Sequence, residues 1–428
     1  MSRSLSNNLP GSRDETWGPE KNGYLSLEHV FKEHPYSTNT LFGALLLGND
    51  DLIIATNDED EEENGQFLIT KVNSFGELDR SFGKDGFILD RFAPGSLAFS
   101  GEMVQGKDGR IYMFGASGFS LTQPDPEIAI LCFDEAGNRV NEFGIDGQII
   151  VENLVDERVF YGERRFIRVL EDGSLLIGTN GATGAARIET AYLMKFDARG
   201  NPVTSFGVSG VVDIKLPRTQ ATTYLTDGCI LDDGRILVAG YSRPDGSTKS
   251  GLLAMLNPNG SLNLMFGDSA TPGIRLFTKQ RFDIELNAVT ERALGKYLAA
   301  GSVKGSALQN TQGLVAGFDK LGKNDPDFNN GSLLESSLRP GFPTNWQNIL
   351  AQGQHIYVAG GELGHYLLLI GLDGKPDPSF GDAGIVEESE DAFVTTLLLA
   401  YSTDRLLYAS NSIGPGSRLG SLYRYYRA

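Results

Sequence analysis

Six consecutive carboxylates, in DEDEEENG at 58–65, form the densest acid cluster of the 428-residue chain. Hard cations such as calcium take oxygen ligands, so Asp58, Asp60 and Glu62 are weak candidate metal ligands. The alternating DxDxDG order of a calcium loop is missing, and a run of like charges reads more simply as a solvated, self-repelling loop. The four histidines, His29, His34, His355 and His365, have neither HxxxH nor HExxH spacing. His355 and His365 open neighbouring strand-like runs and are expected to form a cross-strand polar pair. Cys132 and Cys229 sit in the apolar runs AILCFD and DGCILD with no CxxC spacing, so both read as buried core thiols. No cofactor is expected from these residues.

Other reactive patterns are also weak. The recurring FGxxG phrase is rich in glycine, but a phosphate cradle must open a helix whose first amides hold the anion. Every copy here runs into a strand-like segment instead. The runs GTNGATG (178–184) and GPGSRLG (414–420) fail the same test. No GxSxG elbow and no SxDxGxTW box is present. Fifty-five acids always offer carboxylate pairs of the glycosidase kind, and nothing nominates one pair over another. No residue is assigned a catalytic role.

The positioning elements are far clearer than the chemistry. An aromatic–glycine phrase recurs as DRSFGKDGF, NEFGIDGQI, TSFGVSGVV, LMFGDSATPGI, PDFNNGSL and DPSFGDAGIV. Its anchors are Phe82, Phe143, Phe206, Phe266, Phe328 and Phe380, spaced 61, 63, 60, 62 and 52 residues apart. A second phrase (LIIATN, RIYMFG, SLLIGT, RILVAG, KYLAAG, HIYVAG, RLLYAS) follows turns such as DDG, whose residues supply positive backbone angles. A third apolar run follows each of these. Four short antiparallel strands in each repeat of about 60 residues are the mark of propeller blades.

First, second and third strands occur seven times, whereas fourth strands occur only six times after residue 38. An unpaired seventh edge would invite aggregation. The stretch DETWGPEKNGYLSL supplies the missing piece, with Trp17 standing where phenylalanine stands elsewhere. The expected fold is therefore all-β: a seven-bladed propeller of four-stranded antiparallel blades, the last closed by the N-terminal strand. Residues 1–13 are expected as a disordered leader and 14–29 as the closing strand. Blades are expected over 38–92, 97–153, 160–216, 221–279, 284–337, 344–390 and 392–428.

The string lxxdGxilvaG followed by fxLxrlnxxGxxDxxFGxxG resembles the delta-60 repeat, a bacterial propeller-forming repeat. GYSRPDGSTKSGLLAMLNPNGSLNLMFG (240–267) carries it well, and the resemblance runs from about residue 14 to the end. It implies a propeller and a bacterial source, and it adds no activity. The fifth unit departs most, with Asn329 in place of the first glycine and ALG in place of DDG.

The formal charge of −18 argues against nucleic acid and anionic membranes, leaving protein or neutral carbohydrate as expected partners of a monomer. Neither a Sec-type leader nor a membrane span is read, so a cytoplasmic or non-Sec exported protein is expected. The connections between first and second and between third and fourth strands share one face and repeat closely. Those on the other face vary, and variable loops on a rigid scaffold are where binding is expected. Nine residues before each second strand lie Gly43, Gly101, Arg165, Thr226, Asn287, Trp346 and Thr396. Arg165, Thr226, Asn287 and Trp346 are the candidate ligand residues, with Trp346 as a stacking platform. The competing reading packs Trp346 between blades. The expected function is a non-enzymatic binding module; a channel hydrolase and a lectin-like sugar binder are the alternatives.

Overall fold

The computed structural model describes residues 9–59, 65–118, 127–151, 158–160, 166–183, 188–217, 221–244, 248–305, 311–339, 342–361, 364–388, 393–402, 404–414 and 417–428. The chain forms a seven-bladed β-propeller of antiparallel sheets. First strands span Gly43–Leu46, Ala98–Gln105, Phe166–Val169, Thr222–Ile230, Asp283–Ala293, Trp346–Gln352 and Phe393–Tyr401. Each touches the next, and the seventh touches the first, so these strands ring the axis. Blade 3 carries an extra piece, Arg158–Phe160, paired to the same edge of its second strand as Phe166–Val169. One short α-helix, Leu27–Val30, is present among the described residues, capped by the Ser26 hydroxyl.

Each seam follows the aromatic–glycine phrase. Trp17 and the six phenylalanine anchors are at most 1% exposed. The amide after each anchor donates across the seam to a turn carbonyl of the following blade. The pairs run from Gly83 to Ala136 (2.8 Å) through Gly144 to Arg199 (2.8 Å) and Gly207 to Asn259 (2.9 Å). Asn329 keeps this bond, to Leu372 at 3.0 Å, because it adopts φ 46° where glycine stands elsewhere. Asparagine tolerates that left-handed conformation better than most residues, so the seam bond survives although the fifth turn is one residue shorter and folds as a 3-10 turn, Asn329–Gly331.

Ring closure begins earlier than the sequence suggests. Tyr24–Ser26 pairs with Ser417–Tyr426, opposing Tyr24 to Tyr423 and Leu25 to Leu422. The expected leader is corrected for residues 9–13, which are built into the ring. Gly11 donates to the Tyr426 carbonyl (2.8 Å), the Tyr426 amide donates to Ser12 (2.9 Å), and the Gly381 amide of blade 6 donates to Pro10 (3.0 Å). The physical reason is that blade 7 needs a third-to-fourth turn as well as a fourth strand, and residues 9–26 supply both. Residues 1–8 lie outside the described residues.

Candidate functional site

The ring of positions nominated from the sequence falls on or beside a repeated β-bulge. Register shifts lie between Leu225 and Asp227, Leu286 and Ala288, Trp346 and Asn348, and Thr396 and Leu398. A bulge breaks the in–out alternation and re-aims side chains. Here polar groups turn into the seams. Thr226 Oγ1 donates to the carbonyls of Ala239 (3.1 Å) and, in blade 5, Leu286 (2.7 Å). Asn287 Nδ2 donates to Asn345 Oδ1 (2.7 Å) and the Trp346 carbonyl (2.8 Å) in blade 6.

Trp346 is fully buried, and its indole N–H donates to Ser336 Oγ at 3.0 Å. Its role as a stacking platform is therefore corrected: it is a seam residue whose ring lies over Gly313, where a Cβ would come within 2.3 Å of it. Thr226 and Asn287 are likewise blade ties rather than mouth residues. Gly43 holds no side chain because the Gly101 carbonyl would lie 2.0 Å from a Cβ there. Arg165 and the Thr396 side chain lie outside the described residues.

The bulge brings Glu102 and Asp227, each one position beyond the nine-residue offset, together with Arg168. Glu102 of blade 2 and Asp227 of blade 4 both bind Arg168 of blade 3, at 2.8 and 2.6 Å. The Glu102 carboxylate also accepts from the Ile167 amide (2.8 Å), and Asp227 accepts from the Val289 amide (2.9 Å). Arg168 Nε completes the network by donating to the Gly228 carbonyl at 2.8 Å. Side-chain exposures of 37, 27 and 18% for Glu102, Arg168 and Asp227 mean that water reaches this cluster.

Burial is the main reason the Glu102 carboxyl is pushed above its usual range; Arg168 opposes the shift and Asp227 adds to it. Burial likewise works against the Arg168 charge, but the two carboxylates more than restore it. A folded pKa above the unfolded one makes the contribution of Glu102 to stability greatest at low pH, fading as pH rises through the raised value. The Arg168→Met variant leaves two near-axial carboxylates without their cation. It should lose about 1–3 kcal/mol at pH 7, between the values for exposed and buried pairs, with part of the loss recovered at pH 5 as the raised Glu102 carboxyl takes up a proton, measured by urea unfolding at both values. Glu102→Gln should cost much less, because an amide still accepts from Arg168.

The remaining polar candidates are structural. His365 does not pair with His355, correcting that expectation: its Nδ1 lies 3.1 Å from Tyr408 Oη and 3.0 Å from Ser410 Oγ in blade 7. His355 stands edge-on to Tyr357. Asp58 is a buried residue of the strand Leu52–Glu59, opposite Gln66, rather than a loop ligand; Asp60 and Glu62 lie outside the described residues. Among the described residues, no group of three histidine, cysteine or acidic side chains is arranged to hold a metal ion. Cys132 is buried, and burial pushes its thiol up to about 12, whereas Cys229 is only half-buried beside the axial cluster. No described helix is long and apolar enough to cross a membrane.

The disc face built from the repetitive turns is the better-described surface, since the variable loops fall largely outside the described residues. It exposes Phe75 (64%), Ile145 (79%), Val208 (72%), Leu264 (69%), Met265 (76%) and Leu294 (79%). Ile145 and Val208 occupy equivalent positions just after the Phe–Gly pairs of blades 2 and 3. Exposed acids stand beside them, among them Asp85, Asp146, Asp232 and Asp268.

No family model and no curated protein matches the chain. Among solved structures it is similar to an acylaminoacyl peptidase of Pyrococcus horikoshii, at 10% identity and a TM-score of 0.46. That match covers 95% of this chain but only 52% of the peptidase, so the chain spans about half its length. The β-propeller domain of the Trilobed protease from Pyrococcus furiosus matches at 9% identity and TM-score 0.46, covering 92% of this chain and 96% of that one. An α-L-arabinofuranosidase from Fusarium graminearum matches at 11% and 0.45, covering 99% and 98%. At such identities and scores these likenesses carry no activity to this chain.

Proposed function

We propose that the protein is a non-enzymatic propeller that docks a protein partner on its repetitive-turn face. The observation behind this reading is the arc of exposed Phe75, Ile145, Val208, Leu264, Met265 and Leu294 on one side of the disc. Exposed large apolar side chains recurring on the turns of adjacent blades are the material of a contact site. The neighbouring acids and the net charge of −18 favour a partner whose apolar patch is flanked by lysine and arginine.

The test is a triple charge variant, Ile145→Glu with Val208→Glu and Met265→Glu, which touches no core residue. Its unfolding midpoint should match the parent, while photo-crosslinking from residue 294 in the native cell should lose a basic partner. Retention of that partner by the variant, or its loss only on altering the variable loops, would refute the docking face. The repeat identity and a bacterial source belong to the same proposal and rest on the repeat phrases.

A second reading, a channel hydrolase, is favoured by Glu102, a water-accessible carboxyl with a raised pKa bound to the same guanidinium as Asp227. Glycoside and lactone substrates should then be turned over by the parent and at least a hundredfold more slowly by Glu102→Gln. Turnover indifferent to that change would sink it.

A further inference from the structure

We propose that the cleft between blades 4 and 5 on the repetitive-turn face is a carboxylate-binding site organised by Arg275. The repeat supplies its own control. Opposite one equivalent position of the third strands, the fourth strands carry Leu25, Ile88, Ile149, Val212, Leu334 and Val386. Blade 4 alone places a charged residue there, Arg275 opposite Leu253. In blades 2 and 3 the apolar residue presses on the turn glycine of the next blade, so that a Cβ on Gly200 or Gly260 would approach Ile149 or Val212 within 2.8 or 2.7 Å. An aliphatic side chain therefore holds this seam without help. An arginine is not needed for the fold.

Arg275 is held by neutral acceptors. Its two terminal nitrogens donate to the Gly322 carbonyl and to Asn324 Oδ1, and no carboxylate among the described residues lies within ion-pair distance. Two of five guanidinium N–H groups are thus engaged by the protein. The ring of Phe277 lies 4.5 Å beneath it. Burial pulls its pKa below the usual value, while Asp268 and Asp319 oppose this from a distance. Both acids have other duties: Asp319 accepts from the amides of Leu321 and Lys323 (2.9 Å each), and Asp268 accepts from the Leu276 amide at 3.2 Å. A half-buried cation without a counter-ion gains more from an incoming anion than an already paired one does.

The walls suit an organic acid. The aromatic–glycine phrase is longest here, and its extra residues fold into a ribbon of Gly267–Asp268 against Thr271–Pro272. The resulting open cleft, about 690 Å³, is lined by Leu264, Asp268, Ser269, Arg275, Lys323 and Asn324. A planar guanidinium fork matches the two oxygens of a carboxylate. Leu264 offers an apolar lip for the rest of the ligand, and the Asp268 charge disfavours a dianion such as phosphate. A free aliphatic acid and the terminal carboxylate of a peptide share this chemistry. The site stands apart from the docking reading, because the isolated protein suffices to test it.

Calorimetric titration of the full chain at low salt with hexanoate, with a leucine-terminated pentapeptide, with the amide of that peptide and with inorganic phosphate tests the assignment. Either acid should bind, the peptide amide should not, and Arg275→Gln should weaken binding at least tenfold without lowering the urea midpoint. Arg275→Lys, which keeps charge and fold but loses the fork, should also weaken it. Peptide acid binding more than tenfold tighter than hexanoate supports the site with a protein terminus as its source; comparable binding supports it with a free acid. No binding of either acid, equal binding by Arg275→Gln, or tighter binding of inorganic phosphate would overturn it.

Discussion

Removing residues 1–26 should abolish cooperative unfolding of the propeller, and removing only 1–11 should already lower the urea midpoint markedly. The shorter deletion takes away the Gly11–Tyr426 and Pro10–Gly381 backbone bonds and the turn that covers Gly381. Backbone hydrogen bonds contribute roughly 0.5–1.5 kcal/mol each, so a loss of about 2–3 kcal/mol is expected. The longer deletion also removes Asp14, the fully buried Trp17 and Leu25, and leaves Ser417–Tyr426 as an open edge. Truncating a buried tryptophan alone costs about 3–5 kcal/mol, a large part of the roughly 5–15 kcal/mol that holds a typical domain folded. Circular dichroism through urea titration measures both. An unchanged midpoint after removal of 1–11 would restore that segment to the status of a leader.

Asp14→Ala should be among the most damaging single substitutions in the chain. The Asp14 carboxylate, at most 1% exposed, receives Thr16 Oγ1 at 2.6 Å and Arg405 Nε at 2.7 Å, and lies 3.2 Å from Arg424 Nε. Arg424 in turn donates to the Ser74 carbonyl of blade 1 at 2.7 Å, so the cluster ties both sides of the closing seam. Deleting one member of a buried ion pair costs about 3–5 kcal/mol, and the lower end applies here because Arg405 keeps Asp404 and Arg424 keeps Asp50. Burial alone would raise the Asp14 pKa; the bonds from Thr16 and Arg405 outweigh it and hold the group below its ordinary value. A depressed acid stabilises the fold above the unfolded aspartate value, near 3.9, and loses that contribution as pH falls through the folded value. The gap between parent and Asp14→Ala should therefore be full at pH 7 and shrink below about pH 4. A gap independent of pH would assign the loss to packing instead.

The closing turn is legible in the sequence. NLPGSRDETWG (8–18) lies position for position on DEAGNRVNEFG (134–144), glycine on glycine and Trp17–Gly18 on Phe143–Gly144. Its polar, proline-containing look belongs to a turn as much as to a tail, and composition does not separate the two. The axial cluster had a weaker signal. Glu102 and Asp227 follow Gly101 and Thr226 directly, but only the bulge decides which of two adjacent side chains meets the axis.

The sequence by itself determined the blade number, the strand order, the seven aromatic anchors and the closure by the N-terminal strand. These depend on local turn chemistry and on period, which repeat along the chain and so can be read from it. Tertiary structure alone decided that Trp346, Thr226 and Asn287 face seams, that Arg168 joins two carboxylates from neighbouring blades, and that Arg275 takes an apolar position without a counter-ion among the described residues. Each depends on register between segments about 60 residues apart and on one-residue bulges, where a single step moves a side chain from one surface to the other.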